Sequence, residues 1–176
     1  MTSGGCAGSG PTEIAPRLIE LLSGDDVVAI APALLGARLT VASPEGSVGV
    51  RLTEVEAYAG EIDPGSHAFR GKTARNASMF EAAGRIYVYF TYGMHYCANV
   101  VCGMEGVSRA VLMRAGEVVE GIDVARTRRP AAGKDRDLAR GPARLTSALG
   151  LTREDDGQLL GGAGSRIRLE LAEPAD

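Results

Sequence analysis

Apolar side chains and β-branched residues recur at every second place along Val48-Gly-Val-Arg-Leu-Thr-Glu-Val-Glu-Ala-Tyr58, which predicts a strand over residues 48–58. Val48, Val50 and Leu52 share one face. The same two-residue period carries Glu54, Glu56 and Tyr58 onto that face. Carboxylates in register with a core face are costly to bury unless they are hydrogen-bonded, paired or chemically used. A solvated strand end is the plain alternative.

The pattern on either side supplies the remaining elements. Ile14, Leu18, Ile19, Leu21 and Leu22 fit a short amphipathic helix ending near Gly24, and a second helix is expected over residues 26–35, stopped by Gly36. A strand over residues 37–41 and a turn at Ser43-Pro-Glu-Gly46 make a hairpin with the strand just described. Residues 60–72 read as a long loop, and Thr73 is placed to cap a short helix over residues 74–81. The strongest strand signal is Arg85-Ile-Tyr-Val-Tyr-Phe-Thr-Tyr92. Gly93 breaks it, residues 95–102 run back beside it, and a turn at residues 103–106 leads to a strand over residues 108–114. These three strands form an antiparallel meander. A helix is expected over residues 117–127 with Gly121 as its weak spot, another over residues 142–149 after Gly141-Pro142, and a last strand over residues 165–171. The expected architecture is α+β: a single domain over residues 13–176, with a curved antiparallel sheet, surrounding helices and a protruding hairpin. The Gly/Ser-rich residues 1–12 read as a disordered tail.

Composition changes this picture only in places. With 45% hydrophobic and 23% charged residues, the chain is of ordinary globular character and long enough for a proper core. The net charge of −3 gives no general affinity for nucleic acid. Locally it is different: Arg126, Arg128, Arg129, Lys134, Arg136, Arg140 and Arg144 stand against only Asp135 and Asp137, a local +5. A solvated surface is the competing reading of that run. Three cysteines make no disulfide framework, no basic region followed by an apolar run opens the chain, and no apolar stretch approaches a membrane span. A cytoplasmic setting without membrane contact is expected, in a bacterium beside the nucleoid.

Four of the five tyrosines fall between Tyr87 and Tyr96, and the fifth is Tyr58. Tyr87 and Tyr89 share a strand face, and packing alone accounts for Tyr87. Tyr92 differs, because it sits where the hairpin turns. An aromatic there has little to pack against in its own domain and suits a wedge between base steps of DNA. His95, Cys97 and Cys102 are close enough in sequence to raise a metal site, but Cys102 falls in the opposite strand phase and no CxxC or HxE pattern accompanies them.

Leu52-Thr-Glu-Val-Glu-Ala-Tyr58, Ser66-His-Ala-Phe-Arg-Gly71, Thr73-Ala-Arg-Asn76, Met79-Phe80, Tyr87-Val-Tyr89, Tyr92-Gly-Met94, Cys97-Ala-Asn99, Val111-Leu-Met-Arg114 and Gly141-Pro142 together resemble the alkyladenine (3-methyladenine) DNA glycosylase family, in order and spacing, over about residues 31–150. The resemblance implies an enzyme that excises damaged purines such as 3-methyladenine, 7-methylguanine and, in some members, hypoxanthine or ethenoadenine from double-stranded DNA. It implies no metal or other cofactor and no Schiff base, and a monomer is expected. By matched position Glu56 is the catalytic carboxylate, Glu54 its less critical neighbour, and Arg114 the arginine that positions water and keeps Glu56 ionised. Tyr58, His67 and Tyr89 match the walls of the base pocket. Asn99 matches the residue that disfavours guanine, and Tyr92 the side chain that fills the gap in the duplex. Arg70, Arg75, Arg140 and Arg144 become candidates for the DNA backbone, with Lys72 and the rest of the basic run beside them.

Two departures accompany the resemblance. His95 stands where family members often carry an aromatic. The family also continues past the last strand with a Pro-Arg-Ile-Gly-like stretch that is not found in this sequence, so either a fragment or a shortened member with an altered or impaired pocket is expected. A non-catalytic purine or nucleic-acid binding module would use the same aromatics and basic surface. Glu56 separates the two readings, since a binder of electron-rich bases has little need of a carboxylate.

Overall fold

The computed structural model describes residues 14–162 and 164–173. The tail expected over residues 1–12 lies outside the described residues. Six strands, β1 (Arg38–Val41), β2 (Val48–Tyr58), β3 (Ile86–Thr91), β4 (His95–Cys102), β5 (Arg109–Glu120) and β6 (Ile167–Glu170), form one curled sheet in the order β3-β4-β5-β2-β1-β6. Every adjacent pair is antiparallel. Four helices accompany them: α1 (Pro16–Leu22), α2 (Val27–Ala33), α3 (Ile122–Arg128) and α4 (Pro142–Leu149). The α+β expectation and the β3-β4-β5 meander are both found.

Local chemistry explains most boundaries. Asp26 caps α2 by accepting from Val28 N at 2.9 Å and Ala29 N at 3.3 Å. Pro142 opens α4 at a position whose N–H has no helical partner, and Gly150 closes it at φ 69°.

Two expected helices are corrected. Residues 117–120 belong to β5, not to a helix, because β2 is long enough to pair with them: Arg51 faces Glu117 and Gly49 faces Glu120. The helix starts only after Gly121, which takes φ 68° as the N-cap residue of α3. Residues 74–81 form no α-helix but a single 3₁₀ turn, Ala77–Phe80. Thr73 does not cap it. Its backbone N and hydroxyl instead donate to Asn76 Oδ1, so the residues before the turn bend around the Asn76 amide.

The sheet has two apolar faces, and a phase change in β2 assigns residues to them. Leu52 lies opposite Gly116 but Glu54 opposite Ala115, leaving Thr53 unpaired. Val55 then lies opposite Met113, leaving Arg114 unpaired in turn. These irregularities swap the faces of β2. Val48, Val50 and Leu52 enter the main core with Leu18, Leu22, Leu145 and Leu149, and beyond the bulge it is Val55 and Ala57 that pack toward that core. Glu56 and Tyr58 therefore do not continue the face of Val48, Val50 and Leu52, as the simple period predicts. They lie on the other face, where Ala68 of the long loop and Met79 and Phe80 of the 3₁₀ turn cover Tyr87, Val101 and Ala110.

Candidate active site

One row of residues crosses four strands on this second face. Glu56 of β2 pairs with Leu112 of β5, Leu112 with Asn99 of β4, and Asn99 with Tyr87 of β3. Strand spacing puts the backbones of Glu56 and Asn99 about 10 Å apart. Glu56 is held by two donors: Arg114 Nη1 reaches its Oε2 at 2.7 Å and the Tyr58 hydroxyl donates to its Oε1 at 2.8 Å. The same guanidinium donates through Nε to Glu54 Oε1 at 2.9 Å. Arg114 can bridge both acids because the bulge leaves it and Glu54 side by side on adjacent strands. The hydrogen bonds to Glu56 and then Glu54 raise the Arg114 pKa, so its charge is secure. Burial, followed by the bond to Glu56, pushes the Tyr58 phenol up to about 12, so it remains a donor at neutral pH. Glu56 keeps 41% of its side chain exposed, which leaves the carboxylate reachable by water.

Beside the carboxylate lies a small, partly open pocket lined by Tyr58, Gly65, His67, Met79, Tyr87, Tyr89 and Asn99. Tyr87 and Tyr89 stack at 5.4 Å and 27°, and the His67 ring meets Tyr89 edge-on at 4.5 Å and 77°. His67 Nδ1 lies 3.0 Å from the Tyr87 hydroxyl. Burial and then Arg75 lower the His67 pKa, and burial pushes Tyr87 up to about 12, so at neutral pH the pair is an imidazole and a phenol. One hydrogen bond joins the two groups, with the direction set by the tautomer of the ring. Asn99 is buried, with its Nδ2 3.4 Å from the Tyr87 carbonyl.

The β3-β4 hairpin projects next to this pocket. Met94 N donates to Thr91 O at 3.2 Å across a turn whose central residues, Tyr92 at φ 51° and Gly93 at φ 67°, are both left-handed. Tyr92 is the one non-glycine residue with positive φ among those described, and it is 89% exposed. Met94 is exposed beside it. A bulky residue in that conformation is strained, and no packing within the fold offsets the strain.

A family model described as Methylpurine-DNA glycosylase (MPG) matches residues 22–176. The chain belongs to the methylpurine-DNA glycosylase family. It is 57% identical over 131 residues to a protein of Streptomyces avermitilis, covering 74% of this chain and 62% of that one. It is 59% identical over 133 residues to a protein of Leifsonia xyli (73% and 62%) and 54% identical over 146 residues to one of Nocardia farcinica (80% and 67%). All three carry the provisional name 3-methyladenine DNA glycosylase. The chain thus spans 62% of the length of the first two relatives.

In this methylpurine-DNA glycosylase family chain the fold brings Glu56, Arg114, Tyr58, His67, Tyr89 and Asn99 to one place. Tyr87, Met79 and Gly65 join them unannounced. Tyr87 is more than a packing residue, since it both lines the pocket and bonds His67. Its shared strand phase with Tyr89 was the available signal. The basic run divides. Arg126 pairs with Asp123 and Asp135, and Arg128 bonds Ser43, Glu45 and the Ala148 carbonyl, so these two serve the fold. Arg140 keeps 72% of its side chain exposed beside Asp137, and Arg144 is exposed. Residues Ala115 and Arg140 form a β-bridge, which places this segment next to Arg114. Arg70 is exposed, while Arg75 reaches the Phe90 carbonyl at 3.4 Å, near the hairpin. Cys102 lies in the main core and His95 is exposed. Among the described residues no three His, Cys, Asp or Glu side chains converge to hold a metal, and no helix is long and apolar enough to cross a membrane.

Proposed function

We propose that this chain is a monofunctional DNA glycosylase that hydrolytically excises alkylated or deaminated purines, 3-methyladenine and 7-methylguanine foremost and hypoxanthine or ethenoadenine in addition, from double-stranded DNA. The observation that carries the reading is Glu56, held by Arg114 and Tyr58 yet open to water, at the edge of a pocket walled by aromatic side chains. The flipped purine enters between Tyr58, His67 and Tyr89. Asn99 on the pocket floor crowds a guanine exocyclic amino group. In the proposed step the C1′–N bond breaks and its electron pair leaves with the purine, which is neutralised directly if it is already cationic or by a proton if it is not. Water attacks C1′ and gives its proton to Glu56, whose charge also stabilises the oxocarbenium character of the sugar. Arg114 keeps Glu56 ionised and in place. A single chain acts with water as co-reactant.

The test is release of free base from methylated or hypoxanthine-containing duplex DNA, measured against undamaged duplex. Lesion-dependent release is the expected result. DNA binding with no release from any of these substrates would overturn the enzymatic reading in favour of a binding module.

Tyr92 is assigned as the side chain that occupies the gap left by the flipped nucleotide, and its strain gives a two-sided prediction. Tyr92→Gly is expected to raise stability by about 1 kcal/mol, since glycine accepts positive φ without penalty. It should at the same time weaken binding to lesion duplex more than to single-stranded DNA, measured by denaturation and by titration. Equal weakening on both substrates would count against a wedge. Arg144, with Arg70, Arg75 and Arg140, is assigned to backbone phosphates. Arg144→Ala should lower affinity for all duplexes alike and reduce the slope of log K against log salt by about 1.

A further inference from the structure

Asn76 is 2% exposed, and its amide makes four hydrogen bonds, all to one short segment. Oδ1 accepts from Thr73 N at 2.6 Å and from Thr73 Oγ1 at 3.1 Å, while Nδ2 donates to His67 O at 2.9 Å and to Gly71 O at 3.1 Å. A primary amide has two donor hydrogens and two acceptor lone pairs, so its capacity is filled. The segment it gathers, residues 67–73, belongs to no strand or helix; its own backbone bonds, Phe69 N to Ser66 O and Gly71 N to Ala68 O, are local turns. Local turns fix the shape of a loop but not its place against the sheet. That place is set next door. Ser78 Oγ donates to Asp156 Oδ1 at 2.8 Å, and the same oxygen accepts from Val88 N of β3 at 2.9 Å. The path from β3 through Asp156, Ser78 and Asn76 to His67 closes on β3 again, where the Tyr87 hydroxyl meets His67.

We infer that Asn76 is a positioning residue that sets the distance of the His67 ring from Tyr87 and Tyr89, and so the width of the slot an extruded base enters. The consequence for catalysis rests on the function proposed above, whereas the geometric role stands without it. Alanine at this position would leave the His67 and Gly71 carbonyls and the Thr73 N–H without their partner. Aspartate separates the two halves of the network. It keeps both acceptor bonds to Thr73 but turns a carboxylate oxygen toward two carbonyls.

The chain contains two histidines, so the His67 ring is directly observable. Long-range ¹H–¹⁵N spectra of the full chain, assigned with His95→Gln, report the Nδ1 hydrogen bond and the ring's protonation midpoint. In Asn76→Ala and Asn76→Asp the Nδ1 signal is expected to lose its hydrogen-bonded position. The midpoint is expected to rise toward the ordinary histidine value as the ring leaves its burial among Tyr87, Tyr89 and Arg75. Wild-type His67 signals in folded Asn76→Ala, or wild-type behaviour of Asn76→Asp, would overturn the assignment. Should either variant fail to fold, Thr73→Val, which removes only the Oγ1 bond, must shift His67 in the same direction by less; no shift overturns it equally. If the chain releases base, Asn76→Asp should release it on the order of ten- to a hundredfold more slowly, as small misplacements near a reacting centre do. Absence of release by wild type would count against the glycosylase reading and leave the spectra to decide on Asn76.

Discussion

Glu56→Gln is expected to slow single-turnover release of base from methylated duplex DNA by about 10²- to 10⁴-fold, the range that general-base groups contribute, while leaving the fold and lesion binding in place. The substitution keeps the volume and one carbonyl oxygen but removes the charge and the basic oxygen. In the native chain both carboxylate oxygens accept, one from Arg114 and one from Tyr58. An amide can satisfy only one of these donors and must turn its NH₂ toward the other. Arg114 does not go adrift, because its Nε remains bonded to Glu54. The lost rate therefore reports on Glu56 itself. Glu54→Gln is the informative partner: Glu54 binds only the far side of the guanidinium, so its loss should slow release far less. Equal release by wild type and Glu56→Gln would remove the catalytic assignment.

The largest effect on stability is expected at the opposite end of the sheet. Asp155 is 1% exposed and is met by Arg166 through two nearly parallel bonds, Nε to Oδ1 at 2.9 Å and Nη2 to Oδ2 at 2.7 Å. Asp155 also accepts from Thr152 N, and Arg166 reaches the Ala42 and Gly150 carbonyls, so the pair ties the approach to β6 to the loop after α4 and the end of β1. Breaking a buried pair from one side strands a charge, at a cost of about 3–5 kcal/mol. Arg166→Leu should therefore lower the melting temperature by roughly 10 °C in a chain of this size. Asp155→Asn should cost less, because Arg166 keeps 32% of its side chain exposed and can be hydrated. Asp155→Asn with Arg166→Leu should lose less than the sum of the two single changes. A single Arg166→Leu change costing under about 1 kcal/mol would show that the pair contributes little beyond its own desolvation. The next residue, Asp156, holds Ser78 and β3, so the damage should also reach the pocket wall.

The elements that were legible in the sequence are those whose cause is local. Asp26 before an apolar run, Gly141-Pro142 with Gly150, and the Tyr92-Gly93 turn each fix an element within a few residues. The helix expected over residues 117–127 failed because Glu117-Val-Val-Glu120 suits either state, and β2, distant in sequence, supplies the partner that makes it a strand. The helix over residues 74–81 failed because Asn76 directs its amide to His67 and Gly71, contacts that no periodicity announces.

For the candidate site, the sequence by itself determined the cast: two acids two apart, a tyrosine after them, a tyrosine-rich hairpin, Asn99 and Arg114, in an order that points to one family. It did not determine where Glu56 faces. A strict period of two would put Glu56 with Val50 and Leu52, in the main core. Only the unpaired Thr53 and Arg114, seen in the register of β2 against β5, turn the second half of the strand to the other side. The physical reason is that a bulge is a mismatch between two strands, and neither strand contains it alone. The same holds for the pocket. The sequence supplied its aromatics, but their spacing depends on Asn76 and Asp156, which act across segments that only the folded chain brings together.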